Sequence, residues 1–157
     1  HGDNGPGSAF AVHAKSGDLV AMTGPLGDAL PDADWMLFAG DETALPAIGR
    51  YLAEMPKHVA GHAFIEVGCA DDVIAVPTQS QIKVTWLFRD DAHKLERSLL
   101  QDAIRTVDVP HKTQKVYCWA GVEQKDYKPI HAYWRKDIGL DRDHCRAMTF
   151  WRKTNPA

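Results

Sequence analysis

The sequence predicts an α/β protein whose parallel sheet is covered by helices on both faces. Three observations carry that prediction: short uninterrupted apolar runs recur along the chain, helical stretches separate them, and turn residues mark the junctions. Trp35-Met36-Leu37-Phe38-Ala39 is such a run, apolar at every position, as a central strand buried on both faces must be. The length of 157 residues suits one ordinary domain with a short appendage. A chain of this size can bury roughly two-thirds of its unfolded surface, enough for a core without staples.

The elements follow in order. From His1 to Lys15 a Gly/Pro cluster gives way to a helical stretch through Ala9-Phe10-Ala11-Val12. Asp18 to Thr23 reads as a short strand closed by Gly24-Pro25, and the loop from Gly27 to Asp34 marks a boundary. After the central strand, Gly40-Asp41-Glu42-Thr43 turns into a helix from about Ala44 to Met55, with Ala47, Ile48, Tyr51 and Leu52 on its apolar face. His62 to Val67 and Ile82 to Phe88 are the second and third strands of the sheet. Lys94 to Val107 reads as a helix, with Leu95, Leu99 and Ala103 spaced by four. Val116 to Ala120 is the fourth strand, a helical stretch interrupted by Pro129 begins at Gly121, and Met148 to Arg152 closes the sheet.

Composition narrows the function classes. Hydrophobic residues make up 45% and charged residues 25%, the balance of a folded globular chain. A net charge of −3 with scattered basic residues gives no footprint for nucleic acid. No apolar run approaches the ~20 residues of a membrane helix, and no signal peptide is expected from the opening residues. Cys69, Cys118 and Cys145 are odd in number and far apart, which indicates neither a disulfide framework nor a zinc site, so reduced thiols in the cytoplasm are expected. His58 and His62 have helical ligand spacing, but Gly61 between them argues for a loop, and no resident metal is expected.

The strongest local signal is Phe38-Ala39-Gly40-Asp41-Glu42-Thr43-Ala44-Leu45-Pro46, where a buried strand ends in glycine and enters a helix. Unpaired amides at such a helix start can meet an anion or the polar edge of a cofactor, and the crevice beyond strand ends is where open α/β sheets bind ligands. Asp41 and Thr43 are equally good helix caps, so capping alone is the competing reading. The run is not G-x-G-x-x-G, and the usual dinucleotide fingerprint is absent.

That run, extended to Ile48, resembles the signature of the siderophore-interacting FAD-binding protein family. The segment His1-Gly2-Asp3-Asn4-Gly5-Pro6-Gly7-Ser8-Ala9-Phe10 is similar to the family's H-G-D-x-G-P-x-S-x-W. Gly17-Asp18-Leu19 with Gly24-Pro25 resembles its G-D-x-L…G-P strand. Val84 to Arg89 resembles V-x-W-L-H-R, Trp119-Ala120-Gly121 resembles W-x-A-G-E, and Gly139-Leu140-Asp141-Arg142 through Phe150-Trp151-Arg152-Lys153 resembles the closing G-L-x-R…Y-W-R. The motifs occur in the family's order along nearly the whole chain.

The resemblance implies a ferredoxin–NADP reductase-like fold, with a remnant of the FAD-binding β-barrel over residues 1–30 and an NAD(P)-binding-like α/β domain over 31–157. It implies a flavin-dependent ferric-siderophore reductase, in which FAD takes electrons from NADPH, NADH or ferredoxin and reduces siderophore-bound Fe(III). FAD would be held by His1, Gly2, Asp3, Gly5, Gly7 and Ser8, and by Asp41, Glu42, Thr43 and Trp151. NAD(P) would meet Gly40, Thr43, Ala44, Leu45, Pro46, Trp86, Arg89 and Gly121. Arg152 and Lys153 would face an anionic ferric siderophore. No catalytic residue is singled out, and no nucleic acid or membrane partner is implied.

The sequence departs from the family pattern in three places. The A-G-E motif reads Ala120-Gly121-Val122 with Glu123 one place later, which leaves that carboxylate without a role. Phe88 stands where the family has His. The R-x-Y-T flavin motif, which precedes the family's H-G-D segment, does not occur, so the chain reads as the C-terminal portion of a longer reductase and inactive alone. Another flavin reductase on the same architecture, or a nucleotide- or siderophore-binding module without chemistry, would share most of these features.

Overall fold

The computed structural model describes residues 5–24, 29–91 and 98–153. Five strands form one sheet: β1 (Trp35–Asp41), β2 (Ala60–Val67), β3 (Gln81–Phe88), β4 (Val116–Glu123) and β5 (Cys145–Trp151). Among the described residues four α-helices accompany them, α1 (Pro6–His13), α2 (Leu45–Glu54), α3 (Leu99–Ala103) and α4 (Gln124–Ala132). The spatial order is β3-β2-β1-β4-β5, and every neighbouring pair is parallel. The fully apolar run therefore occupies the centre, with every residue of β1 buried.

Alternation along β1 divides the core in two. Trp35, Leu37 and Ala39 point to the face covered by α3 and α4, where they meet Leu100, Ile104, Ile130 and Trp134. Met36 and Phe38 point to the other face and pack on Ile48, Tyr51 and Leu52, the predicted apolar face of α2. Glycine is required at the β1–α2 junction, since a Cβ on Gly40 would lie 2.5 Å from the Cβ of Ala44. Gly61 in β2 sits at φ 139°, where a side chain would collide with the backbone of Met36.

Several expectations need correction. Asp18 to Thr23 forms no strand, and Leu19, Val20 and Met22 in it are exposed. A strand is made by its partner's backbone groups, and none of the described strands pairs with this stretch. β4 does not give way to helix at Gly121. Gly121 and Val122 pair with Met148 and Thr149, the register shifts between Val122 and Glu123, and α4 begins only at Gln124. β5 starts at Cys145 and ends at Trp151, so Arg152 lies beyond it.

Of the long helix expected from Lys94, the described part is regular only over Leu99–Ala103, and Ile104 to Thr106 continue as hydrogen-bonded turns. Leu95 falls outside the described residues. Pro129 does not break its helix: α4 runs through it and continues as wider π-type turns over Tyr133–Ile138, ending at Gly139 with φ 87°. Among the described residues no helix is long and apolar enough to cross a membrane.

Candidate functional site

All five strands run the same way, so their C-terminal ends lie along one edge of the sheet, the place where parallel α/β sheets leave a crevice. A cavity of about 530 Å3 opens there. It is lined from β1 and the turn after it by Asp41, Glu42 and Thr43, from β2 and the end of β3 by Glu66 and Arg89, and from the β4–α4 junction by Glu123, Lys125 and Asp126. Trp151 and Lys153 close it from the end of β5, and Leu100 of α3 forms its apolar floor.

Asp41 is the fixed point of the cleft. It is 4% exposed, and both of its oxygens are engaged. One accepts from the Thr43 amide at 2.9 Å and the Thr43 hydroxyl at 2.5 Å, and the other accepts from the Trp151 indole N–H at 2.7 Å. Asp41 therefore closes the turn before α2 without capping the helix itself, whose cap residue Ala44 makes no side-chain bond, and it also tethers an aromatic ring of the cleft. Glu123, 7% exposed, performs the parallel task on β4. It caps α4 by accepting from the Lys125 amide at 3.3 Å, and it accepts the Lys153 amide at 3.2 Å. The end of β5 and the chain just after it are thus pinned at Trp151 and Lys153.

The opposite wall is an ion-pair network. Arg89 donates to both oxygens of Glu42 and lies 3.4 Å from Glu66. Burial raises the Glu42 carboxyl, but the Arg89 hydrogen bond, a backbone amide and the Arg89 charge together outweigh it and hold Glu42 below the usual glutamate range. Glu66 goes the other way, because burial, seconded by the nearby Asp126 charge, exceeds the help it receives from Arg89. Asp126, 4% exposed, accepts a 2.6 Å bond from the Gln101 side chain and ties α4 to α3.

The predicted site residues divide between this cleft and other places. Asp41, Glu42, Thr43, Arg89, Trp151 and Lys153 meet in it. Leu45 and Pro46 line a smaller apolar groove of about 310 Å3 beside it, which shares Glu42. Ala44 is fully buried and packs in the core, because the turn at Gly40 folds it inward. Trp86 packs half-buried against the same core and does not line the cleft. Gly40 and Gly121 face each other across β1 and β4 at the same end of the sheet, where Gly121 lies under the ring of Phe150. Arg152 is exposed beside the cleft. Gly5, Gly7 and Ser8 are at the start of α1, and His1, Gly2 and Asp3 lie outside the described residues.

Three buried or half-buried carboxylates were not assigned from sequence: Glu66, Glu123 and Asp126. Glu123 had a signal. Counted from Trp119 it occupies the fifth place of W-x-A-G-E, and it is the Ala-Gly pair that comes one place early. Glu66 and Asp126 stand at the end of one strand and in the first turn after another, positions that only the sheet order turns into neighbours.

Two cofactor fits can be tested on these residues. At α1, Gly5 is the cap, no side chain caps the helix, and a Cβ on Gly5 or Gly7 would meet nothing within 4 Å. The amides of Gly7 and Ser8 have no acceptor within the helix and the space around them is open, so a diphosphate such as that of FAD fits there. The cleft differs. Its described lining carries Asp41, Glu42, Glu66, Glu123 and Asp126 against Arg89, Lys125 and Lys153, and Arg89 is already shared between two carboxylates. The phosphates of NADPH or NADH do not fit the described part of the cleft.

Comparison with known proteins accords with this geometry. The profile of the family described as "Siderophore-interacting protein" matches residues 33–154. The chain is 28% identical over 155 residues to the ferric vibriobactin reductase ViuB of Vibrio cholerae, covering 98% of this chain and 56% of that protein. It is 41% identical over 164 residues to an uncharacterised protein of Mycobacterium tuberculosis, covering 98% of this chain and 57% of the other. The crystal structure of the siderophore-interacting protein SipS from Aeromonas hydrophila superposes with a TM-score of 0.83 at 30% identity, covering 99% of this chain and 60% of SipS. The chain therefore spans somewhat over half the length of these relatives, and its parallel sheet is the ferredoxin–NADP reductase-like part of them. With the whole sheet and the cleft inside the match, this chain belongs to the siderophore-interacting protein family.

Proposed function

We propose that the protein serves as a ferric-siderophore reductase using FAD, and that it works in the cytoplasm. One observation supports this reading above the others: Trp151 and Lys153, from the closing family-like segment, are bound to Asp41 and Glu123 at the C-terminal edge of the sheet. An aromatic ring is thereby held, and the backbone of a lysine fixed, beside a half-enclosed cleft, where a flat cofactor ring and the ligands of a ferric complex could meet. Bound FAD would supply the transfer of single electrons to siderophore-bound Fe(III), and Fe(II) holds hard oxygen ligands less tightly. The candidate donors are NADPH, NADH and ferredoxin, and the acidic lining favours a donor whose phosphates lie outside the described cleft.

The chain's own residues bind and orient. The Gly7 and Ser8 amides and the Ser8 hydroxyl would hold the FAD diphosphate. Trp151 would flank the flavin ring, with Thr43 and Glu42 lining the same space. Lys153 and Arg152 would offer positive charge to an anionic siderophore. Within the reading, residues 1–30 belong to the FAD-binding barrel domain and residues 31–157 to the NAD(P)-binding-like domain.

The test is anaerobic reduction of a ferric siderophore by this chain alone and by the chain joined to a flavin-binding barrel domain, with FAD and each donor in turn, following Fe(II) with a chromogenic chelator. Chelated Fe(II) that appears only with the joined protein and FAD together is the expected result. Siderophore binding without flavin uptake or Fe(II) release would instead make the chain a binding module.

A further inference from the structure

Nothing in the family resemblance connects the aspartate of the Gly40-Asp41-Glu42-Thr43 turn to the tryptophan near the chain end, and the structure joins them. The two residues are 110 positions apart and end strands that are not neighbours, since β4 lies between β1 and β5. Asp41 reaches across the end of β4 and accepts the Trp151 indole N–H at 2.7 Å. The carboxylate is itself unable to turn, because its other oxygen holds the Thr43 amide and hydroxyl and the residue is 4% exposed.

We infer that Asp41 is the positioning residue that sets Trp151 as the aromatic wall of the cleft. The physical case rests on what holds Trp151 without it. β5 is an edge strand and Trp151 is its last residue, followed directly by the exposed Arg152 and Lys153. The Lys153 amide bond to Glu123 fixes the backbone there and leaves the ring free to change rotamer. Phe150, the preceding residue, packs its ring edge-on against Trp119 and over Gly121, whereas Trp151 belongs to neither core cluster. A charge-assisted bond from a buried carboxylate is therefore the constraint that selects one ring orientation. The role of Asp41 deepens the proposed reading, since it is through the ring of Trp151 that it would act on a stacked flavin.

The experiment has two readouts, so that failure of the inference and failure of the flavin reading are distinguishable. The first is the indole N–H resonance of Trp151 in the 15N-labelled protein. Asp41→Ala should shift this signal and speed its exchange with water, while the other four of the five tryptophans keep their positions and report that the fold is intact. An unmoved Trp151 signal overturns the inference whatever the flavin does. The second readout is FAD affinity by quenching of flavin fluorescence. Asp41→Ala should weaken it about tenfold, the scale of losing a charge-assisted hydrogen bond.

In a Trp151→Phe background, which keeps an aromatic face but has no N–H, the same Asp41 substitution should add little. Equal loss from Asp41→Ala in both backgrounds would mean that Asp41 acts on the turn alone, and the inference fails. Should Asp41→Ala not fold, Trp151→Phe alone decides. A loss of FAD affinity matching the expected tenfold supports the inference, and unchanged affinity overturns it. If the unaltered protein quenches no FAD, the flavin reading falls while the indole resonance still decides the positioning.

Discussion

Glu42 and Glu66 flank one guanidinium, yet their carboxyls move in opposite directions, and the difference is how much water each has lost. Glu66 is the more buried, its side chain 13% exposed against 44% for Glu42. The stability consequences have opposite signs. A carboxyl raised by folding, as Glu66 is, adds stability below the ordinary glutamate range, and that contribution disappears as pH rises through its raised value. A carboxyl lowered by folding, as Glu42 is, adds stability above the ordinary range, and loses it as pH falls through its depressed value. Relative to the unaltered protein, Glu66→Gln should become less destabilising as pH rises, and Glu42→Gln more destabilising. Each trend should be within about 1 kcal/mol, the smaller for half-exposed Glu42, where water screens the pair. Urea denaturation of the two variants from pH 4 to 7 checks this, and parallel slopes would refute it. The residue scale is also where sequence was least informative. Asp41 and Thr43 could be found because a strand–turn–helix junction is local, whereas the carboxylates of Glu66 and Asp126 become cleft residues only when distant strand ends are brought side by side.

At the scale of elements, apolar strands were legible and their ends were not. Trp35 to Ala39 announces itself because both faces are buried, but the same strand runs on through Gly40 and Asp41, whose types suggest a turn. The sequence suggests an end to β4 at Ala120 for the same reason, a glycine following an apolar run, although its neighbour β5 keeps Gly121 and Val122 paired. The unformed strand at Asp18 to Thr23 errs in the other direction, since alternation cannot say whether a partner is present. Pro129 is the clearest case of context overriding propensity. It is the sixth of nine residues in α4, where it removes the amide that would bond to Lys125, and the helix persists because Asp126 and Ile130 are anchored in the protein interior. Pro129→Ala should restore that hydrogen bond and stabilise the protein by about 2 kcal/mol, the helix-interior cost of proline less its rigidifying effect on the unfolded chain. A denaturation midpoint that falls instead would show that the ring shapes the π-type turns that follow.

At the scale of the whole molecule, the segment before β1 stands apart from the rest. None of the residues in α1 is buried, and Phe10, Val12, Leu19, Val20 and Met22 are exposed apolar side chains along it. The two cores take their residues from Ala33 onward, with Leu30 packed against one of them. If this segment contributes to ligand binding and not to the core, removing residues 1–28 should separate the two properties. Stability should change by less than about 1 kcal/mol, since no described residue there gives up a buried apolar surface. FAD affinity should fall sharply, because the Gly7 and Ser8 amides are the phosphate-holding groups of the proposal. Each hydrogen bond lost to a charged phosphate is worth roughly 1.5–3 kcal/mol, so two such losses would weaken binding by at least a hundredfold. The shortened chain should also aggregate less, because five exposed apolar side chains leave with the segment. Chemical denaturation and an FAD titration on the same two proteins decide the matter. A large drop in stability would make the segment part of the folding unit, and an unchanged FAD affinity would move the diphosphate site away from α1.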